Sequence, residues 1–468
     1  MTVPGGVFRS MRGPASAGTR SAARRRVRVA LVGEYPIAED AIHAGGIQSV
    51  THGLAHALAR RDDIECHVVC ATAGVNELER QVGPLTVHFV RRTALPRLAT
   101  NRLHDVPRLV QLIRYLEPDV VHGQGQDRHG LAAVRSGFPT VVTPHGVIFV
   151  ESRLLRRHAL DAVGGLKKYL LDRTEREVFD RAKDMIIISP YLPRIYGRML
   201  SARPHLIENP INEAFFSLER APEPGRLLFA GTVVPRKRVE DLVYAVAALR
   251  RSAISASSPL APGSIPGAPA GLGSAATATA GAPGVPARGA GDLAGASGSG
   301  VRQPDWFPRL QLRIAGPLVD RDSEARVRGA IAEQRLEQSV TLLGAVSQTE
   351  LYEEYRRAQV LVLASREETS PQIIAQAMAC GLPIVASRAG GVPDMVRDGE
   401  EALLFPIGNI DTCAAQIRRL LDETGFREAM GYRIREAAGR RFHPDAVAEQ
   451  TVGVYREMLG GDHPLTTG

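Results

Sequence analysis

The chain has 468 residues, 44% of them hydrophobic, which is enough for two or three domains with cores of their own. It contains no run of eighteen apolar residues, so no membrane-spanning helix is expected, and its arginine-rich start lacks the apolar segment of a secretory signal. The net charge of +8 sits mostly at one end: residues 1–28 hold seven arginines and no acid, and the rest is close to balance. That distribution describes a solvated basic leader and argues against a nucleic-acid-binding fold.

A disordered tail over 1–26 gives way abruptly to VRVALVGEY (27–35), an apolar run of buried-strand length. A loop carrying Gly45-Gly46 follows, then a helical pattern from Ser49 through Leu58. Further strand runs are IECHVVCA, LTVHFVRR, PDVVHGQG, PTVVTPHG and MIIIS, most of them separated by helical stretches. Strands alternating with helices predict an α/β domain with a mostly parallel sheet covered on both faces, here over 27–208. Residues 151–200 are helical and basic. Arg153, Arg156, Arg157, Lys167 and Lys168 suit either a solvated helix paired with Asp172, Glu175 and Glu177 or peripheral contact with an anionic membrane, and the solvated helix is the plainer reading.

After HLIENPIN (205–212) the pattern restarts: strands RLLFAGTVV, LQLRIAGP, VTLLGAV, AQVLVLAS and LPIVA, with VEDLVYAVAAL as the first helix. A second doubly wound domain is therefore expected over 209–440, with Asn209-Pro210 as a candidate hinge. Residues 251–305, dominated by Ala, Gly, Pro and Ser, cannot bury enough apolar surface to offset ordering and are expected to form a disordered insertion. The segment 441–468 carries an amphipathic helix, PDAVAEQTVGVYREML, expected to return to the first domain. Four cysteines (66, 70, 380, 413) show no zinc or redox spacing and read as core thiols of a reduced, cytoplasmic protein.

Ligands of such sheets collect beyond the carboxyl ends of the strands, where Gly45, Gly46, His122 and His145 fall. A lone histidine is more often structural. In the second half, GTVVPRKRVEDL (231–242) stands at a strand-to-helix junction. Gly231 permits a tight path there, and Arg236, Lys237 and Arg238 set three cations close to a helix start, an arrangement suited to a diphosphate. On those residues alone a solvated basic turn is the plainer reading, and the spacing is not that of a Walker loop. Residues 367–393, EETSPQIIAQAMACGLPIVASRAGGVP, join a carboxylate, a helix beginning near Ser370-Pro371, a buried strand and a Gly-Gly turn. A carboxylate beside a helix start can hold a polar, phosphate-bearing ligand: amides for the anion, carboxylate for hydroxyls.

This last stretch resembles the signature of retaining glycosyltransferases of family 4, in which a Glu, seven residues and a second Glu precede Ala-Met-Ala. Glu368 matches the first Glu, whereas Gln376 stands where the second is expected. At the basic junction the family's Gly and Lys fall on Gly231 and Lys237, while Thr232 replaces an Arg and Arg238 a second Gly. The resemblance implies the GT-B architecture, two Rossmann-like domains facing across a cleft. It also implies transfer of a sugar from a nucleotide-sugar to a glycan, glycolipid or small-molecule acceptor, with retention and without an obligatory metal or other cofactor. On this reading Glu368, His145 and Lys237 are catalytic, with His145 close to the transferred sugar. Gly45, Gly46, Gly231, Arg236, Thr369, Ser370 and Gln376 join Lys237 and Glu368 in binding the donor. Three alternatives remain. A degenerate binding protein is motivated by Thr232 and Gln376, and a nucleotide-sugar hydrolase or epimerase would suit the same fold. An NAD-dependent oxidoreductase is poorly supported, since no Gly-x-Gly-x-x-Gly follows either first strand.

Overall fold

Short apolar runs rich in Val, Ile and Leu favour strands buried on both faces, and the chain uses them to build two separate sheets. The structure, a computed structural model, describes residues 25–37, 46–72, 79–91, 103–146, 162–257 and 303–460. The first compact unit comprises residues up to Ile188, Pro193–Pro210 and the C-terminal segment from Pro444. Its sheet contains β1 (Val27–Val32), β2 (Ile64–Thr72), β3 (Glu79–Val82), β4 (Leu85–Arg91), β5 (Val120–Gln124), β6 (Thr140–Thr143), β7 (Asp184–Ile187) and β8 (Arg203–Leu206). Their order is β3-β4-β2-β1-β5-β6-β7-β8, all parallel except the β3–β4 edge pair. The strand order reverses between β1 and β5.

Helix α1 (Gly46–Ala59) covers one face of this sheet, burying Val50, Leu54, Ala55 and Leu58. The C-terminal helix, Pro444–Met458, is also part of this unit: Val447, Ala448, Val452 and Tyr455 are buried in the same core as Leu54, Leu58, Cys66 and Val120. At its rim Arg60 pairs with Asp445 at 2.5 Å and Arg456 with Asp63 at 2.5 Å.

The second unit comprises Ser189–Leu192 and Ile211–His443. Its sheet contains β9 (Arg226–Ala230), β10 (Gln311–Ala315), β11 (Val340–Gly344), β12 (Val360–Leu363), β13 (Ile384–Ser387) and β14 (Leu403–Phe405), all parallel in the order β11-β10-β9-β12-β13-β14. This is the doubly wound nucleotide-binding order, with the reversal between β9 and β12. Helix α2 (Val239–Ser257) follows β9, and helix α3 (Gln372–Cys380) lies between β12 and β13.

Several boundaries differ from the sequence expectation. The first unit ends at Pro210 rather than 208, because Ile211 is buried in the second core and its N–H donates to the Phe442 carbonyl at 2.9 Å. The C-terminal return starts at Pro444 rather than 441, since Arg441 completes the helix Thr424–Arg441 and Phe442 is buried in the second core. The expected insertion began at 251, but α2 continues to Ser257 with Ala253 fully buried, its alanines and serines being adequate helix formers once one face packs. The rest of that insertion up to 302, the tail up to 24, Gly45, and Arg153, Arg156 and Arg157 lie outside the described residues. Helix α3 starts at Gln372, with Pro371 as the residue before it and no side chain capping its first N–H groups. Among the described residues no helix is long and apolar enough to cross a membrane. All four cysteines are unbridged and buried.

Candidate active site

The reversal point of the second sheet brings the two motif segments together, because β9 and β12 are neighbours whose carboxyl ends carry residues 231–238 and 364–370. Gly231 leaves β9 with φ +146°, and a Cβ at neighbouring Gly316 would stand 2.0 Å from the Gly231 carbonyl oxygen. Two glycines are needed for these turns to pass each other. Pro235–Lys237 then form one 3-10 turn that ends at Arg238 in the left-handed region, φ +47°. That conformation accounts for the glycine expected there. Arg238 occupies it while pairing with Asp241 at 2.6 and 3.0 Å.

Glu368 is 4% exposed and is the centre of the cluster. Its Oε1 accepts from the Lys237 ammonium and, at 2.6 Å, from Ser365 Oγ. Its Oε2 accepts from Arg236 at 3.3 Å. Burial alone would push this carboxyl up, but the charges of Lys237 and then Arg236, with the hydrogen bonds from Lys237 and Ser365, hold it below the usual carboxylate value. Arg236 also donates to the Glu367 carbonyl, and its own carbonyl accepts from Arg366 N–H at 2.7 Å, tying the two loops through the backbone as well. The Glu367 carboxylate accepts from Tyr191 Oη at 2.6 Å.

The Gly-Gly turn locks this loop from the other side. A Cβ at Gly390 would stand 2.0 Å from the Glu368 carbonyl oxygen, and one at Gly391 2.0 Å from that of Thr369, while Gly391 N–H donates to the Glu368 carbonyl. Thr369 and Ser370 are half-buried between Glu368 and the uncapped start of α3. Gln376, on α3, is half-buried and accepts through Oε1 from Tyr355 Oη at 2.9 Å, so its amide is oriented by a fully buried tyrosine. Glu368, Lys237, Arg236 and Gly231 thus converge, as the sequence suggested. Ser365 and Tyr191 were not singled out, since neither sits in a recognisable motif.

In the first unit, His145 follows β6 and its Nε2 lies 2.7 Å from Gln124 Oε1 at the end of β5. His122 is buried, bonded to Tyr455 and Thr143, and its burial, with a second titratable ring, His145, close by, pushes its pKa down to about 3. It is therefore an interior, neutral histidine. Gly46 begins α1. Lys168 pairs with Asp172 one turn along its helix at 3.3 Å, as in a solvated charged face.

Two family models match the chain: Glycosyltransferase Family 4 over residues 44–215 and Glycosyl transferases group 1 over 302–437. A D-inositol 3-phosphate glycosyltransferase from Streptomyces bingchenggensis is 34% identical over 166 residues, 34% of this chain and 36% of that protein. The sulfoquinovosyl transferase SQD2 of Arabidopsis thaliana is 36% identical over 96 residues, 20% of this chain and 19% of its own. The chain thus spans between about a fifth and a third of the length of these first curated relatives. Among solved structures, sucrose-phosphate synthase from Thermosynechococcus elongatus superposes with a TM-score of 0.66 at 20% identity, over 93% of this chain and 100% of that one. HepE of Anabaena, solved in complex with UDP-glucose, gives 0.61 at 15% identity over 92% and 100%. The chain belongs to the group 1 glycosyltransferases and has their GT-B fold.

Proposed function

We propose that the protein transfers a sugar from a nucleoside diphosphate sugar, a UDP-sugar in the first instance, to a hydroxyl of a glycan, glycolipid or small-molecule acceptor with retention of anomeric configuration. One observation carries the reading: a buried carboxylate, Glu368, holds Lys237 and Arg236 side by side at the reversal point of the second sheet, next to the uncapped start of α3. Two cations beside a helix start suit a leaving diphosphate, and the carboxylate that fixes them offers acceptor oxygens to sugar hydroxyls.

In the reaction so proposed the bond from the anomeric carbon to the diphosphate oxygen breaks and the bond to the acceptor oxygen forms on the same face. The acceptor proton passes to a leaving-diphosphate oxygen. Lys237 and Arg236 neutralise the charge that grows on the diphosphate, so the step needs no protein nucleophile and no obligatory metal. Positioning and electrostatic stabilisation do the catalytic work. The solved complexes of HepE with UDP and with UDP-glucose support trying uridine nucleotides first. Unbridged, buried cysteines support a cytoplasmic site of action.

The test is calorimetric titration of UDP, GDP and ADP into wild type and Lys237→Ala. One nucleotide binding to the wild type, and at least tenfold more weakly to the variant, supports the reading. Equal binding to both proteins, or none to either, overturns it.

A further inference from the structure

Glu367, immediately before the buried Glu368, is a second carboxylate beside the two cations, and the proposed transfer gives it no task. Arg236 donates to the Glu367 carbonyl at 3.2 Å and to Glu368 Oε2 at 3.3 Å, so its guanidinium lies within reach of the Glu367 side chain. Lys237 and Arg236 carry two positive charges and Glu368 cancels one of them, which leaves one for a diphosphate. A second carboxylate on Arg236 would cancel the remainder and occupy N–H groups that phosphate oxygens need.

The structure gives this carboxylate a neutral donor instead. Glu367 Oε1 accepts from Tyr191 Oη at 2.6 Å. A phenol satisfies a carboxylate oxygen without altering the charge of the cluster. Tyr191 lies in Ser189–Leu192, a stretch of the second unit, so both partners belong to the unit that carries the motif loops.

A local turn sets the tyrosine. Ser189 Oγ accepts from Tyr191 N–H at 3.1 Å and the Ser189 carbonyl from Leu192 N–H at 3.2 Å, while Leu192 is fully buried and Ser189 1% exposed. Ser189 also packs on the Gly-Gly turn: a Cβ at Gly391 would stand 2.7 Å from its Oγ. Gly391 N–H in turn donates to the Glu368 carbonyl at 2.8 Å. Tyr191 is therefore fixed against the same backbone that carries both glutamates.

We propose that Tyr191 is a positioning residue of the donor site, which holds the Glu367 carboxylate away from Arg236 and so leaves that guanidinium to Glu368 and the diphosphate. The diphosphate rests on the glycosyltransferase reading, whereas the competition of the two glutamates for Arg236 does not.

The test uses the full chain with Tyr191→Phe, Glu367→Gln and the two combined, each titrated calorimetrically with UDP. Tyr191→Phe should bind UDP about tenfold more weakly, the weight of one hydrogen bond to a charged group. Adding Glu367→Gln should restore the affinity to within twofold of wild type, because no second negative charge is then present. Glu367→Gln alone should also stay within twofold. A tyrosine that merely packs would give a loss that Glu367→Gln does not repair. That result, or unchanged affinity in Tyr191→Phe, overturns the proposal.

Urea midpoints without nucleotide supply the second arm. Glu367→Gln and Arg236→Ala should couple more strongly in the Tyr191→Phe background than with Tyr191 present, the combined variant losing less than the sum of the single ones. Coupling that is no stronger without the tyrosine hydroxyl overturns the positioning role. If the stronger coupling appears but no nucleotide binds to the wild type, the glycosyltransferase reading fails, and with it the diphosphate assigned to Arg236.

Discussion

Glu368→Gln removes the negative charge shared by Lys237 and Arg236 while keeping the side chain's shape. The Lys237 side chain is 10% exposed and that of Glu368 5%, so the variant leaves a largely desolvated ammonium short of its counter-charge. Removing one partner of a buried ion pair costs about 3–5 kcal/mol. For a unit of this size that corresponds to a fall of about 6–20 °C in the melting temperature of the second unit.

Adding UDP should recover most of the loss, because the diphosphate supplies the missing charge. The affinity of the variant for UDP should equal or exceed that of the wild type, while sugar transfer is lost. The double variant Lys237→Met/Glu368→Gln should melt above Glu368→Gln alone, since it removes the stranded cation. Differential scanning calorimetry with and without UDP reads all of these. A melting shift below 2 °C for Glu368→Gln, or UDP affinity falling in step with transfer, would refute the claim that the variant strands buried positive charge that the diphosphate can neutralise.

Gln376→Glu should lower the KM for a nucleotide-sugar several-fold, because a carboxylate accepts stronger hydrogen bonds from ribose hydroxyls and still accepts from Tyr355; an unchanged or higher KM from initial-rate kinetics would remove Gln376 from the donor site. Arg238→Gly and Arg238→Ala both lose the Asp241 pair, but only glycine relaxes the φ of +47°, so the glycine variant should be more stable in urea by about 1–2 kcal/mol. Equal stability of the two would show that the turn carries no strain. Burial lowers His88 to about 4, His122 to about 3 and His145 to about 4, so in each case the unfolded chain takes up the proton first, near pH 6.5. Their contribution to stability is complete above that pH and is lost as pH falls toward 4, at up to about 4 kcal/mol per pH unit near pH 5. Urea midpoints measured from pH 8 to 4.5 should be flat above 7 and drop below 6.5, whereas a flat profile throughout would contradict the burial of these rings as neutral species.

The long apolar strands and the helices between them were legible because they are continuous in sequence and bury both faces. Three strands were not. β3 (ERQV) is a polar edge strand, β8 (RPHL) begins in charge and proline, and β14 (LLF) has only three residues. Such strands are fixed by the neighbour they pair with, not by their own pattern.

The same distinction holds at the site. Glu368, Lys237 and Gly231 sit in local motifs and were found, and the oddity at Arg238 was visible as a missing glycine. Ser365 stands only three residues before Glu368 but in no recognisable motif, and Gln124 meets His145 because the sheet sets β5 beside β6. Tyr455 meets His122 across 333 residues of chain, so no spacing rule reaches it. His122 and His145 look alike in sequence, each near the end of an apolar run, but His122 lies within β5 and His145 just after β6. Only the hydrogen-bond pattern separates the interior histidine from the one with an open nitrogen.

The central claim is best tested by nucleoside diphosphate release from a panel of UDP-, GDP- and ADP-sugars, comparing wild type with Glu368→Ala. Slow release from one donor by the wild type, abolished in the variant while the nucleotide still binds, is the predicted result, and it would name the sugar. Release at equal rates by both proteins, or from no donor even with acceptors present, would contradict the assignment of Glu368 to a working donor site.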